Sequence, residues 1–261
     1  MNPDTRIAVC CYEGDKQQVE QSLDFYLHHQ CPVTILSPEN SKVVINHPGV
    51  DNRHAGLRGR SGPDAHARHL EHLKILLTYP ENHFFMHESD SVCLDPKIPD
   101  YLYAEPHIVW TNEGRAMETT VDSFPPDCPP LSFQAPWFLS RKTIEAFVAV
   151  APQVPHIPQL EWVDNYLVQL TYAAKLPHKG FRDRYLGPIS GRYDEATGKF
   201  FTPFGAGVEG DPICPELAQI YNASFAQALE YVNNGANMIH SVKNSIAAKE
   251  LLVAYQNRKK S

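Results

Sequence analysis

Residues 6–36, RIAVCCYEGDKQQVEQSLDFYLHHQCPVTIL, decide the fold. Arg6 to Cys11 (RIAVCC) is a short apolar run with no helical period, the pattern of a strand buried on both faces. Tyr12-Glu13-Gly14-Asp15 then turns the chain. Asp15, with Gln18 three residues on, is placed to cap a helix whose apolar stripe is Val19, Leu23, Tyr26 and Leu27. Pro32 to Leu36 (PVTIL) reads as the second strand. A strand-helix-strand opening implies a parallel sheet covered by helices, with the loops at the strand C-termini available to a ligand.

Working outward, Lys42 to Ile45 (KVVI) is expected as a third strand, and residues 54–62 form a glycine-rich basic loop holding Arg58 and Arg60. Asp64 caps the helix that follows, with Leu70, Leu73, Leu76 and Leu77 facing inward. His83 to Met86 (HFFM) is another buried strand and runs straight into His87-Glu88-Ser89-Asp90-Ser91. Ile108 to Trp110 continues the sheet. Pro136 to Leu139 is a strand ending at Ser140, which can cap a helix through Val150. A helix from about Leu160 places Trp162, Val163, Tyr166, Leu167 and Leu170 inward. Residues 187–212 are glycine-rich and irregular, with room for a short hairpin. A helix over 215–233 should end at Gly235 in a left-handed C-cap, before a short strand over 237–240 and a last helix over 245–258. Neither an internal repeat nor a dividing linker is present. The expectation is one α/β domain, 1–261, with a mostly parallel central sheet flanked by helices.

Bulk properties narrow the field. A chain of 261 residues with 43% hydrophobic and 20% charged residues is long enough to bury a sizeable core. Its 22 prolines cluster in 122–130 and 151–158, as ordered irregular loops do. Six cysteines without a CxxC pair read as reduced and buried. The N-terminus has no charged region leading into an apolar stretch, and no run approaches the ~20 apolar residues of a membrane span. A soluble cytoplasmic protein is expected. The net charge of −7 gives no global pull on nucleic acid, so such a partner would need a local group of cations.

Two motifs carry chemistry. Glu88 and Asp90 are alternate residues at the mouth of an apolar strand and so share a face. Two adjacent carboxylates repel unless a cation lies between them, and hard oxygen ligands suit Mg²⁺ or Mn²⁺. An acidic loop that merely ends a strand gives the same pattern. Near the C-terminus, His240 and Lys243 offer an imidazole for Mn²⁺ and a point charge for phosphate, although a solvated surface pair reads alike. His66, His69 and His72 recur every third residue on one helix. The angular drift spreads them around it, which weakens a transition-metal reading. GxSxG, P-loop and dinucleotide fingerprints are absent.

The order of a β-α-β opening, Glu88-Ser89-Asp90 after an apolar strand, the acidic helix start Glu161-Trp162-Val163-Asp164, and Ile239-His240-Ser241-Val242-Lys243 resembles the GT-A glycosyltransferases. The stretch FFMHESDSVCLDP is similar to small GT-A proteins of bacteriophages and large DNA viruses. The resemblance implies a Rossmann-like domain that moves a sugar from a nucleotide diphosphate, here a UDP-sugar, with Mn²⁺ or Mg²⁺. Asp90 then matches the metal-binding acid of the DxD motif. Glu88 stands at its first position, touching metal or ribose. His240 matches the C-terminal metal ligand, and Lys243 a phosphate contact. Asp164 corresponds to the base of inverting members, although the usual Glu-Asp pair is Val163-Asp164 here. Tyr12 and Asp15 lie where the first loop holds the nucleobase, and Arg58, Arg60 and Arg68 where basic residues approach the donor. The acceptor this implies is a hydroxymethyl-pyrimidine base in DNA, with Arg58, Arg60, Arg182, Arg184 and Arg192 as phosphate contacts. A virion protein or a soluble glycan stands as the competing acceptor. A nucleotidyltransferase of the same fold is disfavoured because the first loop, CYEGD, lacks a glycine-rich basic signature. A catalytically silent nucleotide-sugar-binding module remains open.

Overall fold

The computed structural model describes residues 4–17, 19–20, 23, 31–58, 62–89, 92–94, 98, 100–116, 131–154, 163–180, 185–186, 192–194, 199–201, 229, 232–233, 238–239 and 245–260. The chain divides into two compact units. The first comprises Met1–Lys16, Tyr26–Glu88 and Lys97–Phe181; the second comprises Gln17–Phe25, Ser89–Pro96 and Arg182–Ser261.

The first unit is built on β1 (Thr5–Cys10), β2 (Val33–Ser37), β3 (Val50–His54), helix α1 (Gly62–Leu76) and β4 (His83–Glu88). In the second unit β5 (Val92–Cys93) follows in sequence. The first unit resumes with α2 (Asp100–Ala104), β6 (Val109–Ala116), β7 (Leu131–Ser140), α3 (Arg141–Val150), α4 (Val163–Ala173) and β8 (His178–Gly180). Its seven-stranded sheet has the order β3-β2-β1-β4-β7-β6-β8. β1 runs parallel to β2 and β4, and β2 parallel to β3. β7 is antiparallel to both β4 and β6, while β8 is parallel to β6, so β7 alone is reversed. This is the α/β class, with the mostly parallel, helix-flanked sheet, that the opening segment implies.

The core follows from the apolar runs. Ala8, Leu36, Phe84, Met86, Val109, Trp137 and Leu139 of the sheet pack with Leu73 and Leu76 of α1, Ile144 and Phe147 of α3, and Tyr166, Leu167 and Leu170 of α4. Ser140 caps α3 as its position suggests, its Oγ accepting the Thr143 amide at 3.2 Å. At the same end of the sheet, Arg6 is buried and donates to both carboxylate oxygens of Glu81, at 2.9 and 3.1 Å, and to Thr34 Oγ1 at 2.9 Å.

One expectation needs correction. The third strand is Val50–His54, not Lys42 to Ile45. Residues 42–45 alternate exposed and buried like a strand, but they are gripped by side chains instead of a ladder. Asn52 donates to the Ile45 carbonyl and accepts its amide, and Ser37 Oγ accepts the Val43 amide. Asp15 closes a 3₁₀ turn, Glu13–Asp15, by accepting the Tyr12 amide at 3.0 Å, and the described residues after it, 16, 17, 19, 20 and 23, are helical, with Val19 and Leu23 of the expected apolar stripe buried.

In the second unit β12 (Met238–Ile239) pairs with β5 and with β9 (Tyr185–Leu186). β10 (Arg192–Asp194) and β11 (Lys199–Phe201) form the short hairpin anticipated in 187–212. The last helix is α5 (Ser245–Lys260). Most of the helix expected over 215–233, its cap at Gly235, Trp162, and the proline-rich loop at 122–130 lie outside the described residues. Among the described residues, no helix is long and apolar enough to cross a membrane.

Candidate functional site

β1 and β4 lie side by side in parallel register, and their last residues, Cys10 and Glu88, are partners in the pairing. Glu88, half-buried, therefore stands at the C-terminal edge of the sheet, beside the strand whose continuation carries Tyr12 two residues later. The loop after β3 returns to the same place. The Ala55 amide donates to the Ser37 carbonyl at the end of β2, and the Glu39 amide to the Gly56 carbonyl. The Arg58 amide is held by Asn40 Oδ1 at 2.7 Å.

Two guanidinium groups converge on the Tyr12 ring, Arg58 at 5.0 Å and Arg68 at 5.4 Å from its centroid. They differ in freedom. Arg58 is exposed, whereas Arg68 is only 6% exposed on α1 and donates to the Leu57 carbonyl at 3.1 Å. Burial pushes the Tyr12 phenol up to about 12, against the nearby Arg68 charge, with the Glu88 charge adding to the rise. Burial likewise pushes the Cys10 thiol to about 12, with the Glu88 charge adding to it and Arg68 opposing. Both groups are protonated at neutral pH, so Cys10 has no thiolate to act as a nucleophile. The edge of the sheet thus combines an aromatic face, two cations and a carboxylate, a set able to hold an aromatic ring joined to an anion.

Asp164 is half-buried in the first turn of α4. Its helix is tied to α1 near the N-termini of both: the Tyr166 ring stacks on His66 with centroids 4.4 Å apart and planes 7° off parallel. The first turn of α4, which carries Asp164, and the second turn of α1, which carries Arg68, are thereby joined through a neighbouring pair. Of the residues singled out in the sequence, Tyr12, Arg58, Arg68 and Glu88 come together, and Asp15 shapes the Tyr12 turn. Arg60, Asp90, His240 and Lys243, with Arg182 and Arg184, lie outside the described residues. Of the proposed metal ligands Glu88 alone is described, a carboxylate of the hard-oxygen type at a strand end. No group of three His, Cys, Asp or Glu side chains among the described residues is arranged to hold a metal ion.

His66, His69 and His72 are all buried, because α1 packs against α3, α4 and the sheet. His69 meets the Trp137 ring edge-on at 5.7 Å, and His72 Nδ1 lies 3.9 Å from Cys10 Sγ. Burial, chiefly, holds His69 well below the usual histidine range and His72 at about 3, so both are neutral core groups. Sequence reasoning passed over Gly56, whose φ of +66° and close approach to Arg68 make the loop possible. A glycine opening a basic loop was its visible signal.

No family model and no curated protein matches the chain. Among solved structures it is similar to A197 from STIV, with 13% identity and a TM-score of 0.36 over 68% of this chain and 81% of that one. It is also similar to a mutant Drosophila β1,4-galactosyltransferase 7 in complex with manganese, UDP-Gal and xylobiose. There the identity is 12% and the TM-score 0.37, over 68% of this chain and 65% of the other.

Proposed function

We propose that the chain, as one domain over 1–261, is a metal-dependent glycosyltransferase of the GT-A type that uses a UDP-sugar. The observation that carries this is the convergence of Tyr12, Arg58, Arg68 and Glu88 at the C-terminal edge of the parallel strands. Open α/β sheets bind ligands at that edge, and an aromatic ring beside guanidinium groups suits a base joined to a diphosphate.

In the proposed chemistry, an acceptor hydroxyl oxygen forms a bond to the anomeric carbon as the bond from that carbon to the diphosphate oxygen breaks. The diphosphate leaves with the electron pair, and in an inverting reaction Asp164 takes the hydroxyl proton as general base. Arg58, Arg60, Arg68 and Lys243 hold the phosphates. Glu88, Asp90 and His240 are the residues proposed to hold Mn²⁺ or Mg²⁺, which when bound offsets the charge of the leaving group.

A panel of nucleotide-sugars with Mn²⁺, read by thermal shift and by release of free nucleotide, tests the proposal. A donor should raise the melting temperature in line with its saturation and be slowly hydrolysed. Full activity in excess EDTA would remove the metal. Stabilisation by a donor without any release of nucleotide, with every acceptor tried, would favour a silent binding module.

For the acceptor we propose a hydroxymethyl-pyrimidine base in DNA, which offers a primary hydroxyl and would meet local cations such as Arg58 despite the net charge of −7. Labelled donor incubated with hydroxymethylated and unmodified DNA should add a sugar mass to the modified base only. Labelling of a protein or glycan extract, with all DNAs blank, would reassign the acceptor and leave the enzyme class standing.

A further inference from the structure

We infer that Arg58 biases which ligands the Tyr12 site admits: it covers the ring in the free protein and yields more readily to a ligand bringing a diphosphate, so that bare nucleosides are disfavoured. The inference rests on the nucleotide-sugar reading proposed above and adds a selection step to it.

The two cations at Tyr12 are not equivalent. Arg68 is buried and bonded to the Leu57 carbonyl, so it is fixed in place. Arg58 is pinned at its backbone by Asn40 but exposed at its side chain. Among the described residues its guanidinium has no carboxylate partner, and the Tyr12 ring 5.0 Å away is its contact. That group occupies the space a base would need in order to stack on the same ring face. The two occupants therefore exclude each other.

An exposed cation–π contact is weak, equivalent to about 2- to 5-fold in affinity. A nucleoside gains a stacking surface but must displace the contact and leave the guanidinium with water alone. A nucleoside diphosphate displaces it and supplies a better partner, since guanidinium and phosphate oxygens form charge-assisted paired hydrogen bonds. Arg58 thus exchanges an aromatic ring for a phosphate, and the exchange favours ligands that carry one.

The test compares uridine and UDP binding, by ligand-observed NMR and calorimetry with Mg²⁺ present, to the full chain and to Arg58→Ala and Tyr12→Ala. Arg58→Ala should bind uridine about 2- to 5-fold more tightly and UDP about 3- to 10-fold more weakly. The opposite signs are the signature, since general damage to the site moves both affinities the same way. If Arg58→Ala weakens both ligands, or leaves uridine unchanged, the selection step is wrong. Tyr12→Ala tests the underlying reading separately and should weaken both ligands. If it leaves UDP binding unchanged, the base does not sit on Tyr12. If the unaltered chain binds no UDP at all, the nucleotide-sugar reading and this inference fall together.

Discussion

Gly56 lies directly against Arg68: a Cβ on Gly56 would come within 2.7 Å of the Arg68 Cβ and 2.8 Å of its Cα. The obstacle is the backbone and the base of a side chain within a helix, not the end of a flexible side chain, so little can move aside. Gly56→Ala also forces a side chain into a φ of +66°. The variant should lose about 1–3 kcal/mol in urea unfolding, together with UDP affinity, because the Arg68 contact with Leu57 is disturbed. Gly14→Ala is the control: nothing lies within 4 Å of its Cβ position, and a change below about 0.5 kcal/mol is expected.

Stability should fall as pH drops below neutrality. His72 is held at about 3 and His69 well below its ordinary range, mainly by burial. In the unfolded chain both titrate near 6.5, so below that pH the unfolded state binds more protons than the folded one. Each group then costs up to about 1.4 kcal/mol per pH unit, a loss absent above pH 6.5 and growing until the folded-state pKa is reached. Urea midpoints measured from pH 7.5 to 5 should show this slope, and His72→Leu should reduce it. An unchanged slope in the variant would mean that His72 is not buried neutral.

The Arg6–Glu81 pair and the Lys74–Glu71 pair are similar in length, 2.9 and 2.6 Å, but only the first is buried. Glu81→Ala leaves the buried Arg6 guanidinium without its carboxylate and should cost about 3–5 kcal/mol. Glu71→Ala removes an exposed, screened contact and should cost below about 0.5 kcal/mol. Chemical denaturation of the two variants side by side checks the ranking.

Asp164→Asn distinguishes the two stereochemical courses. If Asp164 is the general base, kcat should fall ~10²–10⁴-fold with donor binding little changed. Near-normal turnover in the variant would place the base elsewhere or make the reaction retaining.

The central strands were legible because burial on both faces writes itself as a continuous apolar run. Arg6 to Cys11, Pro32 to Leu36 and His83 to Met86 all carry that mark, and the Ser140 cap was equally plain. The edge strand was not. Val50–His54 is half-exposed and reads VDNRH, whereas the more apolar Lys42 to Ile45 is held by the Asn52 amide, a partner whose position depends on the fold. The candidate site was legible only in part. The resemblance pointed to Tyr12 and Arg58 and the strand-end position to Glu88, but the unequal freedom of Arg58 and Arg68 depends on which helix face meets the loop. The three histidines were read only against a metal site, from their spread around α1; that all three are buried depends on a helix enclosed on several sides, which the sequence does not display.

The outer strands of the seven-stranded sheet have a further effect. β3 spans five residues and carries Asp51 and Arg53, ion-paired at 3.0 Å. β8 spans three and carries Lys179, bonded to Glu105 at 2.8 Å. Short, charged borders make poor templates for an incoming strand from another molecule. A sheet otherwise rich in apolar sequence is in this way guarded against growing sideways into aggregates, by residues that take no part in the chemistry.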